Sequence, residues 1–197
     1  ESISLIDFYV FRFVCAKLKG WIDNGRQAFP VSVNFSTASL MQPSFVEQLT
    51  AICSSYHISP RYMQIEVTER VHDMEGLDIK YLISKLRQAG FTVAIDDFGT
   101  EYANLALLSE VEFDVLKLDK SMIDNISSNP KTKAVVESIS EICTKLGIDM
   151  VAEGIETEEQ FSTLRSCGVG LAQGFLFSRP ISTDEYEERY LNTTIDK

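Results

Sequence analysis

Apolar residues in this chain gather into two kinds of segment. Six short runs rich in branched aliphatic side chains, at 31–36 (VSVNFS), 62–69 (YMQIEVTE), 92–99 (TVAIDDFG), 115–120 (VLKLDK), 149–155 (DMVAEGI) and 171–177 (LAQGFLF), each carry a polar or charged residue toward the end. Most of the stretches between them have helical character. In the helix expected over 5–22, Phe8, Phe11, Cys15, Leu18 and Ile22 follow three-four spacing and form one core-facing stripe. Strands that alternate with helices predict a parallel sheet with helices outside it. Gly25, Gly90, Gly147 and Gly168 stand where a left-handed residue closes a helix, the last three after helices at 77–89, 132–146 and 158–167. Thr157-Glu-Glu-Gln160 is a capping box, and Ser182 or Thr183 starts a final helix.

Within 64–68 and 115–119, alternate residues are polar or small while the others are branched aliphatic. Such a strand is buried on both faces but turns hydrophilic near one end. That suits the inside of a barrel opening into a pocket. The expected fold is therefore α/β, a (β/α)8 TIM-type barrel cut at its amino end to about six parallel strands with outer helices, the remaining two lying upstream of residue 1. No low-complexity linker divides residues 1–197, which read as a single domain.

Charge narrows the partners. A formal net charge of −11 repels polyanions, so a nucleic-acid polymer is excluded as a ligand unless cations intervene. The four cysteines (Cys15, Cys53, Cys143, Cys167) lie far apart among apolar neighbours in expected helices, as buried free thiols in a reducing compartment. The two histidines, His57 and His72, are poorly spaced with them for zinc. No secretory signal or membrane-length apolar stretch is visible, which places the domain in the cytoplasm.

Candidate chemistry follows from the strand ends, where ligands of parallel barrels bind. Asn34, Glu66 with Glu69, Asp96 with Asp97, Lys117 with Asp119, Glu153 and Gln173 occupy those ends. Each has a plain alternative. Glu66, on the inner face by parity with Gln64, costs several kcal/mol unless paired with a base or metal-bound. Asp96-Asp97 fits an Asp-rich turn, Lys117 and Asp119 fit a simple ion pair, and Asn34 fits a satisfied structural amide. Gly154 and Gly174, each after a polar residue, would let backbone approach a ligand closely. Together, Asn34, Glu66, Asp96 and Asp97 supply only oxygen, which suits Mg²⁺ or Mn²⁺. Two such ions would clamp a phosphodiester, and hydrolysis of a small phosphodiester is the expected reaction class.

These residues resemble the EAL family of cyclic di-GMP phosphodiesterases. Val33-Asn-Phe-Ser36 is similar to the family's VNxS, Glu66-Val-Thr-Glu69 to ExTE, Asp96-Asp-Phe-Gly-Thr100 to DDFGT and Lys117-Leu-Asp119 to KxD. Ala152-Glu-Gly-Ile-Glu156 resembles AEGxE, while Gln173-Gly174 and Ser178-Arg-Pro180 resemble the closing QG and SRP. The resemblance implies cleavage of cyclic di-GMP to linear pGpG with two Mg²⁺ or Mn²⁺ ions, Ca²⁺ being inhibitory. It assigns Asn34, Glu66, Asp96 and Asp97 to metal, with Asp119 as a partner of metal-bound water. Lys117 and Glu153 would position or deprotonate the attacking water, Gln173 and Glu156 would support the site, and Glu69 would anchor the DDFGT loop. It also implies a homodimer through that loop and fusion to sensory or GGDEF domains. The family's naming glutamate, a metal ligand, is expected upstream of this sequence, so that residues 1–197 alone would be inactive. An EAL-like receptor or interaction domain without turnover is the alternative. Glu101 stands where the family usually has glycine, followed by Tyr102-Ala-Asn104 in place of YSS.

Overall fold

The computed structural model describes residues 2–69, 78–100 and 105–191. Glu101, Tyr102, Asn104 and His72, which the sequence singles out, lie outside the described residues. The chain opens on α1 (Ser2–Asp23) and continues through β1 (Val31–Asn34), α2 (Thr37–Leu40), α3 (Phe45–Ser55), β2 (Met63–Thr68) and α4 (Ile79–Gln88). It then runs through β3 (Thr92–Phe98), α5 (Leu105–Glu110), β4 (Val115–Leu118), α6 (Lys120–Ile123) and α7 (Pro130–Leu146). β5 (Asp149–Ala152), α8 (Glu158–Ser166), β6 (Leu171–Ala172) and α9 (Thr183–Tyr186) follow. All six strands are parallel and sit in chain order, β1-β2-β3-β4-β5-β6. A doubly wound sheet reverses its order partway, whereas unbroken order belongs to a barrel wall. The six strands form a curled half-barrel with helices outside.

The core lies between the sheet and those helices. Val33, Ile65, Val67, Val93, Ile95, Leu116 and Leu118 share the outward parity and are buried against them. Phe8, Phe11, Cys15 and Leu18 of α1 are buried as the spacing predicts, but Trp21 completes the stripe and Ile22 is 37% exposed. The indole gains more apolar contact than an isoleucine could, including Tyr186 at 5.6 Å between ring centroids. Phe8 and Phe11 meet Phe35 at 6.1 and 5.8 Å, and Phe35 meets Phe45 edge-on at 4.9 Å. One aromatic cluster thus joins α1, the end of β1 and α3. The four cysteines are buried and free, with Cys167 just past α8 instead of within it. Among the described residues no helix is long and apolar enough to cross a membrane.

Element ends follow local chemistry. The helix-closing glycines have the left-handed backbone expected, as at Gly147 with φ 70°, where its N–H bonds back to Thr144 O. Thr157 and Gln160 form the full capping box, and Ser182, not Thr183, caps α9. The run at 171–177 forms a strand only over Leu171–Ala172. Beyond it the chain folds onto Ile155, whose N–H donates to Gln173 O at 3.1 Å and whose carbonyl accepts from Leu176 N at 3.0 Å. A Cβ on Gly174 would stand 2.1 Å from the Ile155 carbonyl oxygen, and one on Gly154 2.7 Å from the Lys120 side chain. Both glycines therefore allow close packing of the chain on itself.

Backbone atoms cannot swing aside as a side-chain tip can. Gly174→Ala is expected to destabilise the fold by about 3 kcal/mol, read as a lower urea midpoint at unchanged slope. An unchanged midpoint would mean that 173–176 is not held against Ile155.

Candidate active site

Strand register gathers the polar residues. Asn34 pairs with Glu66, Thr68 with Asp96, and Lys117 with Val151. Alternate residues share a face, so Asn34, Glu66, Asp96, Lys117 and (two places after Val151) Glu153 project from the concave face at the carboxyl ends. The outward residues are aliphatic, and a slip of one place would carry every one of these charges into the helical layer.

The Lys117 ammonium is the hub. Its Nζ lies 2.7 Å from Glu66 Oε1, 2.7 Å from Glu153 Oε1 and 3.0 Å from Asp96 Oδ1. The Lys117, Glu66 and Asp96 side chains are only 7%, 5% and 11% exposed. Burial alone would push the lysine down, but the three carboxylates outweigh it and hold the ammonium well above its ordinary range. Burial raises the Glu153 carboxyl above its usual value, helped by Asp96 and Glu66, and Lys117 only partly offsets this. Asn34 Nδ2 donates to Glu66 Oε2 at 2.7 Å, which leaves the Asn34 side-chain carbonyl for another ligand.

The remaining candidates surround this cluster. Asp97, exposed, has φ 58° where the β3–β4 register shifts, and its N–H donates to Asp96 Oδ1 at 3.0 Å. Glu69, buried just past β2, accepts the Gly99 N–H at 3.0 Å and so holds the turn after Asp96-Asp97. Asp119 is not an ion-pair partner of Lys117. It caps α6 through the Ser121 N–H at 2.8 Å, and that bond keeps its carboxyl below the usual range despite some burial. Glu156 pairs at the exposed rim with Lys120, a residue that no sequence pattern marks, and the pairing lowers its carboxyl. Gln173 contributes backbone bonds to Ala152 and Ile155, with its side chain exposed. The sequence placed Lys117 beside a carboxylate two residues on. It missed the three-fold bridge, whose signal was the shared parity of four strands.

Can this cluster hold a cation? Among the described residues no three His, Cys, Asp or Glu side chains are grouped as a metal ion would need. The donor chemistry suits one all the same. Three carboxylates and one ammonium sum to a formal −2 in a mostly buried place, a charge that asks for compensation. Every donor is a hard oxygen, and the cluster opens to solvent through Glu153, whose side chain is 20% exposed. Asn34, Glu66 and Asp96, with Asp97 next in the chain, could hold a divalent ion. A cavity of about 770 Å³ lies instead at the amino end of β3, where Arg87 is bound to Glu112 and Asp114 and Lys80 to Glu110.

A family model described as the EAL domain matches residues 1–180. The cyclic di-GMP phosphodiesterase NbdA of Pseudomonas aeruginosa is 33% identical over 94% of this chain and 24% of its own length. The chain thus spans about a quarter of that relative. The crystal structure of the EAL domain of Mycobacterium smegmatis DcpA is 34% identical with a TM-score of 0.84, over 91% of this chain and 81% of that one. Klebsiella pneumoniae BlrP1, solved as a manganese/cy-diGMP complex, is 34% identical with a TM-score of 0.79, over 90% of this chain and 45% of that one. A calcium/cy-diGMP complex of the same protein also matches, at 32% identity and a TM-score of 0.77 over 90% of this chain and 44% of that one.

A carboxyl whose folded value is raised stabilises the fold when protonated. Metal-free protein should therefore lose stability on Glu153's account as pH rises from its ordinary 4.5 through the raised folded value. Glu153→Gln is expected to match the wild type below pH 4.5 and exceed it at neutral pH, in urea unfolding with chelator present. A difference independent of pH would contradict the burial argument.

Proposed function

The chain belongs to the EAL domain family, and from that premise we propose that it is the catalytic portion of a cyclic di-GMP phosphodiesterase, hydrolysing the cyclic dinucleotide to linear pGpG with two Mg²⁺ or Mn²⁺ ions. The observation that carries this reading is the convergence of Glu66, Asp96 and Glu153 on Lys117 at the carboxyl ends of successive strands. The cyclic di-GMP and metals named for the solved relatives support it.

Bound divalent ions would polarise the phosphodiester and make a coordinated water a nucleophile at neutral pH. In this reading Asn34, Glu66, Asp96 and Asp97 hold them. Lys117 offsets the charge that grows on the phosphate oxygens and aligns the attacking water. Glu153, whose carboxyl is raised by burial and by the like charges of Asp96 and Glu66, takes the proton that the water gives up. Glu69 keeps Gly99, and hence the Asp96-Asp97 turn, in place. Asp119, Glu156 and Gln173 act from outside: the first by fixing α6 behind Lys117, the others by shaping the rim. The same reading puts the domain in the cytoplasm as a homodimer through the DDFGT loop, joined to sensory or GGDEF domains.

The test uses the polypeptide extended upstream by about two strands, incubated with cyclic di-GMP and Mn²⁺ and followed by chromatography. Appearance of pGpG is expected, with Glu66→Ala and Asp96→Ala each reducing the rate at least about 100-fold. Added Ca²⁺ should slow the Mg²⁺-supported reaction, because its looser coordination places water poorly. Tight binding without product, indifferent to both substitutions, would overturn the enzyme reading in favour of a receptor.

A further inference from the structure

Asp7 of α1 lies outside every motif named above, yet one of its oxygens holds the turn that follows Asn34. Asp7 Oδ2 accepts from Ser36 N at 2.9 Å, Ser36 Oγ at 2.6 Å and Ser39 Oγ at 2.7 Å. Ser39 is fully buried, and Asp7 is half-buried. Ser36 occupies the N-cap of α2, the place where a serine ordinarily bonds its own helix, but its hydroxyl makes no such bond and turns to Asp7. A local cap would secure only α2. A cap supplied from α1 ties the same turn to the core, since the neighbouring Phe8 and Phe11 also pack on Phe35, the residue between Asn34 and Ser36.

Asn34 is thus held on both sides. Its strand pairing with Glu66 and its side-chain bond to that carboxylate fix it toward the sheet. The grip of α1 on residues 35 and 36 fixes it toward the loop. Three donors on one anionic oxygen make that grip stiff, because charge-assisted bonds are shorter and stronger than neutral ones.

We infer that Asp7 is a positioning residue, which sets the direction of the Asn34 side-chain oxygen through Ser36 and thereby tunes cation binding at the strand ends. This rests on the reading in which Asn34 holds a divalent ion. Outer partners of this kind typically change metal affinity by about 10-fold to 100-fold when removed.

The experiment titrates the chain with Mn²⁺ and follows the free ion by electron paramagnetic resonance. Asp7→Asn is expected to weaken binding about 10-fold, and Ser39→Ala, which removes one donor of three, to weaken it less. Cys15→Ala, a core truncation on the same helix without contact to Ser36, serves as the control. It should lower the melting temperature at least as much while leaving Mn²⁺ affinity within about twofold. Hydrogen exchange of the Asn34 side-chain amide, read by NMR without metal, is expected to quicken in Asp7→Asn and not in Cys15→Ala. Unchanged affinity and exchange in Asp7→Asn, or equal loss in the control, would overturn the inference. If the wild type bound no Mn²⁺, the metal reading would fall, and the exchange comparison would still decide whether Asp7 positions Asn34.

Discussion

One ammonium among three carboxylates governs this structure. Lys117 takes Glu66, Asp96 and Glu153 at hydrogen-bond distance where little water reaches. Removing Lys117 would leave these carboxylates with neither water nor counter-ion, and stranding buried charge in this way costs about 3–5 kcal/mol. The arrangement is therefore cooperative. Each of β2, β3 and β4, and the end of β5, must present the correct parity at the correct depth, or a charge is stranded in a layer built for valine and leucine. The aliphatic outward face and the charged inward face enforce one register between them. A formal −2 remains in the cluster, and that is the charge the proposed cation would offset.

Around this hub the chain uses inexpensive local devices to keep the acids aimed. Asp97 adopts a left-handed backbone at the register shift of β3, a conformation that aspartate tolerates better than most residues. Glu69 holds the following turn by its bond to Gly99 N. Asp119 fixes α6 directly after the strand that carries Lys117. Lys120 draws Glu156 to the rim, and the absence of a side chain at Gly154 leaves room for that lysine to lie across the backbone. None of these contacts touches Lys117. All of them limit how far the strand ends can move relative to one another.

Much of this was legible in the sequence. Six apolar runs, their order and their polar ends specify a parallel barrel wall, because period-two alternation and helical spacing depend on local sequence. Glu66, Asp96, Lys117 and Glu153 stood out because charge at an inward position is costly and must be explained. The sequence could not reveal that Lys117 serves three acids on neighbouring strands, since inter-strand register is a property of the whole sheet. Nor did it show that Asp119 caps the next helix through Ser121 N, because that bond depends on the turn after β4. It extended the final strand too far, because the turn at Gly174 arises from packing on Ile155, a residue distant in sequence. Ile22 gave way to Trp21 for a similar reason: spacing admits either, and contact with Tyr186 decides.

The sequence motifs and the buried charges meet at Glu66, Asp96, Lys117 and Glu153, and the proposal that these residues serve a metal rests on both. The most direct measurement is anomalous diffraction from crystals of the chain grown with Mn²⁺. The account predicts manganese density bonded to Glu66, Asp96 and the Asn34 side-chain oxygen, close to Lys117. Manganese bound only elsewhere, with Lys117 still bridging the three carboxylates, would contradict it.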